Sequence, residues 1–121
     1  MTIPSRVLGS GVNSMSTVAI CGDSGTGLTA TGTNAATAYQ INRDFSVFTT
    51  VPVGTGAKLP PTEMGSFIVI ANPDANNLEV YPYETTSTIN GAASCTHKKN
   101  HTAIFYAVSN SAWFSMQAAF V

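Results

Sequence analysis

Charged residues are scarce in this chain of 121 residues, of which five are basic and six acidic, or 9% in all. A typical soluble domain is about one-quarter charged. So few basic groups cannot supply the row of phosphate contacts that drives nucleic-acid binding, so no nucleic-acid partner is expected. Long apolar runs are also missing. None approaches the roughly 18 residues that cross a bilayer, and the first residues lack the pattern of a signal peptide, so we expect no membrane partner.

Cysteine is scarce as well, since the chain has only Cys21 and Cys95. They lie far apart in sequence, and a reducing cytoplasm would keep them as thiols. Cys95, His97 and His101 have a spacing compatible with zinc, but a structural zinc site needs a fourth ligand from a distant part of the chain. We therefore predict no metal and no cofactor, and interpret residues 97–101 as an exposed connection whose histidines are merely polar.

Residues that would point to catalysis are equally sparse. The tetrapeptide Gly22-Asp23-Ser24-Gly25 matches the nucleophile motif of trypsin-like proteases. That fold needs about twice this length and a histidine well before the serine, whereas both histidines here come later. The acidic residues show no sequence pairing that suggests a general acid and base. The chain is therefore predicted not to be an enzyme, and the tetrapeptide to be a turn.

What the chain does contain is a succession of short apolar, β-branched segments separated by Gly, Pro, Asn and Ser. This pattern predicts an all-β fold, namely one small β-barrel or β-sandwich of jelly-roll type. Residues 67–71 form a continuous apolar run, which predicts a central strand covered on both faces, joined to residues 78–81 in a hairpin. A second hairpin is predicted from residues 102–108 and 112–118. In its last strand Trp113 should be buried and Phe114 should face the opposite side.

The first third of the chain has a different composition, with Gly, Ser, Thr and Asn dominant and apolar residues scattered. Such a segment cannot build a core alone. We predict an extended N-terminal arm over residues 1–36 and a β domain over residues 37–121. The arm is either a mobile tail with short strands added to the main sheet, or a segment that becomes ordered on a neighbouring subunit or another surface.

Five short motifs occur in a fixed order along the last two-thirds of the chain. They are GTGAKLPP (54–61), FIVIAN (67–72), LEVYP (78–82), TING (88–91) and AWFS (112–115). The order resembles the small β-barrel modules of tailed-phage virion proteins, in which G-x-G-x-x-L-P, V-x-N, V-Y-P, I-N-G and W-(Y/F)-S motifs recur.

This resemblance implies a structural protein of the virion that decorates and stabilises a phage capsid, a cement protein. The implied partners are the major capsid protein and further copies of the chain, in a homotrimer. The protein would be made in the host cytoplasm and located on the capsid surface. The alternative is a receptor-binding or carbohydrate-binding β module of a phage fibre or spike.

Contacts with the capsid or with other subunits are expected from apolar residues of the arm, from a basic loop, and from the last strand and apolar C-terminus. An apolar terminus left in water costs free energy, and basic side chains suit an acidic surface. The predicted contact residues are Ile3, Val7, Leu8, Met15, Ile20, Lys98, Lys99, Phe114, Phe120 and Val121.

Overall fold

The computed structural model describes residues 3–121 and contains two short helices followed by ten β-strands. The helices are α1 (Pro4–Gly9) and α2 (Ser14–Cys21). The strands are β1 (Ser24–Thr29), β2 (Tyr39–Gln40), β3 (Phe45–Thr50), β4 (Gly56–Lys58), β5 (Phe67–Asn72), β6 (Leu78–Tyr81), β7 (Thr88–Ile89), β8 (Cys95–His97), β9 (His101–Ala107) and β10 (Ala112–Ala119). The all-β prediction is confirmed at this level. In the part of the chain that the structure describes, no helix is long and apolar enough to cross a membrane.

The strands form two sheets, and the chain passes from one to the other after nearly every strand. The six-stranded sheet has the order β1-β3-β5-β9-β10-β7, and the four-stranded sheet has the order β2-β4-β6-β8. Strands β1, β3 and β5 pair in parallel, as do β2, β4 and β6. Strands β1, β3, β5 and β7 begin at residues 24, 45, 67 and 88, so one turn of this winding takes 21 or 22 residues.

This winding makes the fold β-solenoid-like, so the prediction of a barrel or jelly roll is wrong. The predicted hairpin of residues 67–71 and 78–81 is wrong for the same reason. β5 belongs to the six-stranded sheet and β6 to the four-stranded sheet, and the Asn-rich turn between them carries the chain from one sheet to the other. A turn signal in sequence marks a change of direction but does not say whether the next strand pairs with the last one.

The final hairpin closes the winding and was predicted correctly. β9 pairs antiparallel with β10, and β9 also pairs antiparallel with β5, which places β5 between β3 and β9. The central position predicted for residues 67–71 is thus confirmed. Their predicted burial on both faces is not, because burial alternates along β5 and Phe67 is 52% exposed.

The core lies between the two sheets and is a single cluster. Its largest side chains are Trp113, Phe48 and Phe105 from the six-stranded sheet, which pack with Leu78 and Val80 of the four-stranded sheet. The predicted burial of Trp113 is confirmed, since it is 0% exposed. Its indole Nε1 donates a hydrogen bond to Thr62 Oγ1 at 2.9 Å, which satisfies the one polar atom that this side chain brings into the core.

The N-terminal segment differs from the predicted extended arm of residues 1–36. Residues 4–9 and 14–21 are helical, and the Asn13 side chain caps α2 by accepting a hydrogen bond from the Ser16 N–H at 2.8 Å. β1 pairs with β3 at the edge of the six-stranded sheet, and Ala30 lies in the core. Residues from 24 onward therefore belong to the folded β body, because parallel pairing holds a Gly-rich strand that has few apolar side chains of its own.

Candidate interaction surface

The outer face of the six-stranded sheet, directed away from the core, carries a continuous apolar surface. The strand register aligns its side chains in three rows across β3, β5, β9 and β10. The rows are Phe67, Tyr106 and Phe114; then Phe45, Val69, Ile104 and Met116; then Val47, Ala71, Thr102 and Ala118. We call these three rows the outer apolar face.

Much of the outer apolar face is open to solvent. Its four aromatic side chains, Phe45, Phe67, Tyr106 and Phe114, are 40% to 52% exposed, and Met116 is 63% exposed. The rings of Tyr106 and Phe114 stack on the surface with their centroids 6.2 Å apart and an angle of 29° between their planes. Single exposed apolar residues are ordinary on a protein surface, whereas a contiguous apolar patch is a candidate interaction site.

The chemistry of the outer apolar face is uniform. None of the side chains in its three rows is charged, and the only side-chain polar groups there are the hydroxyls of Tyr106 and Thr102. Covering apolar surface gains about 25 cal/mol for each Å² removed from water. A partner therefore gains free energy at this face without desolvating any charge.

Strand β3 shows why the outer apolar face was not predicted from the sequence pattern. Phe45, Val47, Thr49 and Val51 alternate with Ser46, Phe48 and Thr50, and the first set is the more apolar. In the structure Ser46 and Phe48 are buried, while Phe45 is 40% exposed on the outer side. The sequence signal that could have indicated this surface is the presence of apolar residues on both faces of strands β3 and β5. Such a pattern fits a strand that is covered on both sides once partners are bound.

Two of the predicted contact residues belong to this side of the molecule. Phe114 is 43% exposed within the outer apolar face and faces away from Trp113, as predicted. Phe120 continues the same alternation along the strand, and its N–H donates a hydrogen bond to the Asn100 carbonyl at 3.0 Å. Phe120 and Val121 are both exposed.

The predicted contact residues of the arm lie on the two helices, except Ile3, which is the N-cap residue of α1. Ile3, Leu8, Met15 and Ile20 are exposed, and Val7 is half-buried. Among the residues of α1 and α2 only Thr17 is buried, so the helices present their apolar side chains to solvent rather than to the core. The end of α2, at Ile20 and Cys21, forms a shallow groove with Phe45 and Phe67. The helical segment therefore ends beside one edge of the outer apolar face.

The basic pair Lys98 and Lys99 lies in the turn between β8 and β9, and both side chains are exposed. The Lys98 N–H donates to Gln117 Oε1 and the Lys99 N–H donates to Asn77 Oδ1, each at 3.0 Å, so the turn is held on two sides. The Asn100 N–H donates to the Asn72 carbonyl, which places this turn beyond the row that contains Ala71. The lysines and the helices thus lie at opposite ends of the outer apolar face.

His97 is not the exposed polar residue that the sequence suggested. Its side chain is fully buried, with Nε2 2.9 Å from the His101 carbonyl oxygen and Nδ1 without a hydrogen-bond partner within residues 3–121. The pKa of His97 is lowered to about 4, chiefly because burial disfavours the charged imidazole; the hydrogen bond to the His101 carbonyl raises the pKa and the charge of His101 lowers it, both by less than burial does. The burial of His97 was not predicted because this segment was interpreted as an exposed connection. Cys95–His97 is a strand, so Thr96 and His97 point to opposite faces, and His97 points inward.

Neither of the two residue groups that the sequence suggested for chemistry, Cys95 with His97 and His101 or the tetrapeptide of residues 22–25, forms such a site within residues 3–121. Across residues 3–121 no group of three His, Cys, Asp or Glu side chains is placed to hold a metal ion. Cys95 is half-buried and free, with its Sγ near the hydroxyl of Ser115. In the segment after α2, the Asp23 N–H donates to the Asp44 carboxylate at 2.9 Å, and Asp23 lies 3.8 Å from Arg43 Nε. These contacts fix the position of β1 against the loop before β3.

An open groove at strand β6 of the four-stranded sheet is polar. It is lined in part by Asn76, Asn77, Glu79, Tyr81 and Lys99. The Glu79 carboxylate accepts hydrogen bonds from the Ser94 and Thr96 hydroxyls, and the Asn76 side chain donates to the Val51 carbonyl. Most of the polar groups in this groove are therefore engaged in holding the fold.

Comparison with known proteins finds no matching family model, no matching curated protein and no matching solved structure. The resemblance to phage modules therefore depends on the order of the sequence motifs alone.

Proposed function

We propose that this chain is a structural virion protein that decorates and stabilises a phage capsid as a homo-oligomer, preferably a trimer. The motif order supplies the class of protein, and the outer apolar face carries the proposal for assembly. A surface of this kind is unfavourable in a freely diffusing monomer and favourable once covered. The scarcity of charge supports the same conclusion, because closely packed copies then desolvate few ionised groups.

The proposed mechanism is a clamp made of many modest contacts. Each oligomer presents several helical segments with exposed apolar residues such as Leu8 and Met15, together with the basic turn at Lys98 and Lys99. When several such contacts engage neighbouring capsid subunits at once, linkage raises their combined strength well above that of one contact. Decoration of this type opposes the outward pressure of a packaged genome.

The test is reconstitution on particles of the encoding virus that lack the protein. Purified chain is mixed with these particles, pelleted with them and viewed by cryo-electron microscopy. Hundreds of regularly spaced copies over the head are expected. Copies confined to a vertex or a tail, or protein that stays in the supernatant, would contradict the proposal.

Two variants locate the capsid contact within the same experiment. Deleting residues 1–22 removes both helices while leaving the β body, and replacing Lys98 and Lys99 with Ala removes the basic pair. If the helical segment binds the capsid, the deletion should abolish pelleting while the melting temperature stays near that of the full chain, since Thr17 is the only buried residue lost from α1 and α2.

A receptor-binding or carbohydrate-binding module of a fibre remains the alternative proposal. The observation in its favour is Tyr83, which is 47% exposed next to the half-buried Tyr81, with Lys58 Nζ 5.0 Å from the ring centroid of Tyr83. Exposed aromatic rings stack on sugar faces, and a cation beside one can bind an acidic sugar. Binding of the purified protein to a glycan array, lost in Tyr83→Ala, would favour this alternative.

A further inference from the structure

We infer that the outer apolar face is the contact between copies of this chain, and that the same face of each copy meets the others at a symmetry axis. The inference deepens the proposed function, because it assigns the surface of the homo-oligomer. It requires an oligomer, but it does not require that the oligomer bind a capsid.

The exposed apolar area of the outer apolar face supports an interface between copies. Aromatic side chains bury about 200 Å² each, so four of them exposed by 40% to 52%, with Met116 exposed by 63%, leave roughly 500 Å² of apolar surface on each copy. Two copies that cover this surface bury about 1,000 Å², which is near the lower bound for a specific interface. The half-buried Val47, Val69 and Ile104 and the neighbouring Phe120 lie on the same side and bring the total into the usual range.

The outer apolar face is also electrostatically compatible with the same face of another copy. A charged patch of one sign repels its own copy, so self-association through it requires a complementary patch elsewhere. The rows of the outer apolar face carry no charge, and the whole chain has a formal net charge of −1. A second copy therefore meets no electrostatic penalty there, and the stacked rings of Tyr106 and Phe114 offer it two adjacent aromatic side chains.

The composition of β3 and β5 supports the same inference, because both strands carry apolar side chains on both faces. On the inner face of β5, the side chains of Ile68 and Ile70 are buried. On the outer face, Phe67, Val69 and Ala71 are exposed or half-buried in the single chain. A strand with this pattern is covered on both sides in other proteins. Within residues 3–121 the end of α2 lies beside Phe45 and Phe67 but leaves them 40% and 52% exposed, so covering by another copy accounts for the pattern.

Two methionines of nearly equal exposure allow a test on the unmodified protein. Met116 lies in the outer apolar face and is 63% exposed, and Met64 lies outside it and is 69% exposed. The oligomer is treated with hydrogen peroxide, and sulfoxide at each methionine is followed by peptide mass spectrometry. If copies cover the face, Met116 should oxidise about fivefold more slowly than Met64, because thioether oxidation follows exposure. Equal rates would overturn the inference.

Charge placed in the face provides an independent test. The double variant Phe114→Glu/Met116→Glu should sediment as a monomer, and so should Phe114→Lys/Met116→Lys. Because each face meets the same face of other copies, mixing the acidic and basic variants should give mixed oligomers that neither variant forms alone. The matched control is Val53→Glu, which places a charge at an apolar side chain that is 84% exposed but lies outside the face. It should leave the oligomer intact. Emission of the buried Trp113 and thermal melting report whether each variant is folded.

The outcomes separate this inference from the proposed function. Oligomers that persist in the acidic variant would place the contact elsewhere and overturn the inference, and a monomeric wild-type chain at micromolar concentration would do the same. Neither result bears on capsid binding, which the particle experiment measures. Conversely, protection of Met116 in a protein that never binds particles would uphold the inference and remove the proposed function.

Discussion

The hydroxyl of Thr62 connects the largest core side chain to a carboxylate. Thr62 Oγ1 accepts from Trp113 Nε1 and donates to Glu84 Oε2 at 2.7 Å, and Glu84 also accepts from the Thr62 N–H and the Ser87 hydroxyl. Burial raises the pKa of Glu84, but these hydrogen bonds outweigh it and lower the pKa below its ordinary value. The carboxylate is thus held ionised, ready to accept from Thr62.

Thr62→Val should therefore lower the free energy of unfolding by about 1 to 3 kcal/mol, because it leaves the buried indole N–H of Trp113 without an acceptor. Thr62→Ser keeps the hydroxyl and is the control, with an expected loss below about 1 kcal/mol. Urea denaturation followed by Trp113 fluorescence measures both. A loss in Thr62→Val no larger than that in Thr62→Ser would mean that the hydroxyl contributes no more to stability than the methyl group does, and would contradict the role given to this hydrogen bond.

His97 should make stability depend on pH. Its pKa is about 4 in the folded protein and 6.5 in the unfolded chain, so below pH 6.5 the unfolded chain binds a proton that the folded protein does not. The free energy of unfolding should fall as the pH drops through this window, by about 3 kcal/mol near pH 4. Burial of the imidazole is the cause.

The measurement is urea denaturation at intervals from pH 7 down to about pH 4.5; carboxyl groups begin to titrate near the lower limit, and comparison with His97→Gln separates their contribution. His97→Gln removes the titrating group and should flatten the dependence, whatever its effect on stability at neutral pH. A wild-type stability that stays constant across this window would contradict the buried, neutral His97. The pKa of Asp74 is also lowered, by hydrogen bonds from the Val51 and Ala75 N–H groups, so its effect belongs at lower pH.

Strands β4 and β6 approach each other closely at a glycine. A Cβ on Gly56 would lie 2.6 Å from the backbone oxygen of Glu79 and 2.8 Å from the Tyr81 ring, and the backbone cannot move aside cheaply. Both strands are short, and Gly56 pairs with Glu79 in the parallel register. The glycine is thus a requirement of this part of the four-stranded sheet.

Gly56→Ala should accordingly reduce the free energy of unfolding by about 1 to 3 kcal/mol, the usual cost of overpacking. Gly9→Ala is the matched control, because a Cβ on Gly9 meets nothing within 4 Å. Gly9→Ala should leave stability unchanged or raise it slightly, since alanine favours a helix. Thermal melting of the two variants compares them directly. A Gly56→Ala protein as stable as the wild type would show that β4 and β6 separate without penalty.

In the molecule as a whole, apolar contact rather than charge should control association. The outer apolar face has no ionised group, so screening by salt has little on which to act. Sedimentation of the wild type in about 0.05 M and about 0.5 M sodium chloride should give the same distribution of species. Dissociation at the higher concentration would point instead to an interface that includes Lys98, Lys99 or the acidic side chains.

Local patterns in the amino-acid sequence determined much of this protein by themselves. Strand-forming segments, the β9–β10 hairpin and the opposite directions of Trp113 and Phe114 follow from alternation and turn chemistry, and the central position of β5 follows from its continuous apolar run; these signals act over a few residues. Phe114 was predicted as a contact residue from the same alternation, and Phe120 from the free-energy cost of leaving an apolar terminus in water.

Tertiary structure decided which strands are neighbours. Parallel pairing of β1, β3 and β5 joins segments that begin 21 or 22 residues apart, and no local signal distinguishes that winding from a hairpin or a barrel. It also decided which face of β3 is inside, since burial of Ser46 and Phe48 depends on the sheet opposite rather than on the strand itself. The outer apolar face exists only because four strands, distant in sequence, bring Phe45, Phe67, Tyr106 and Phe114 to the same side.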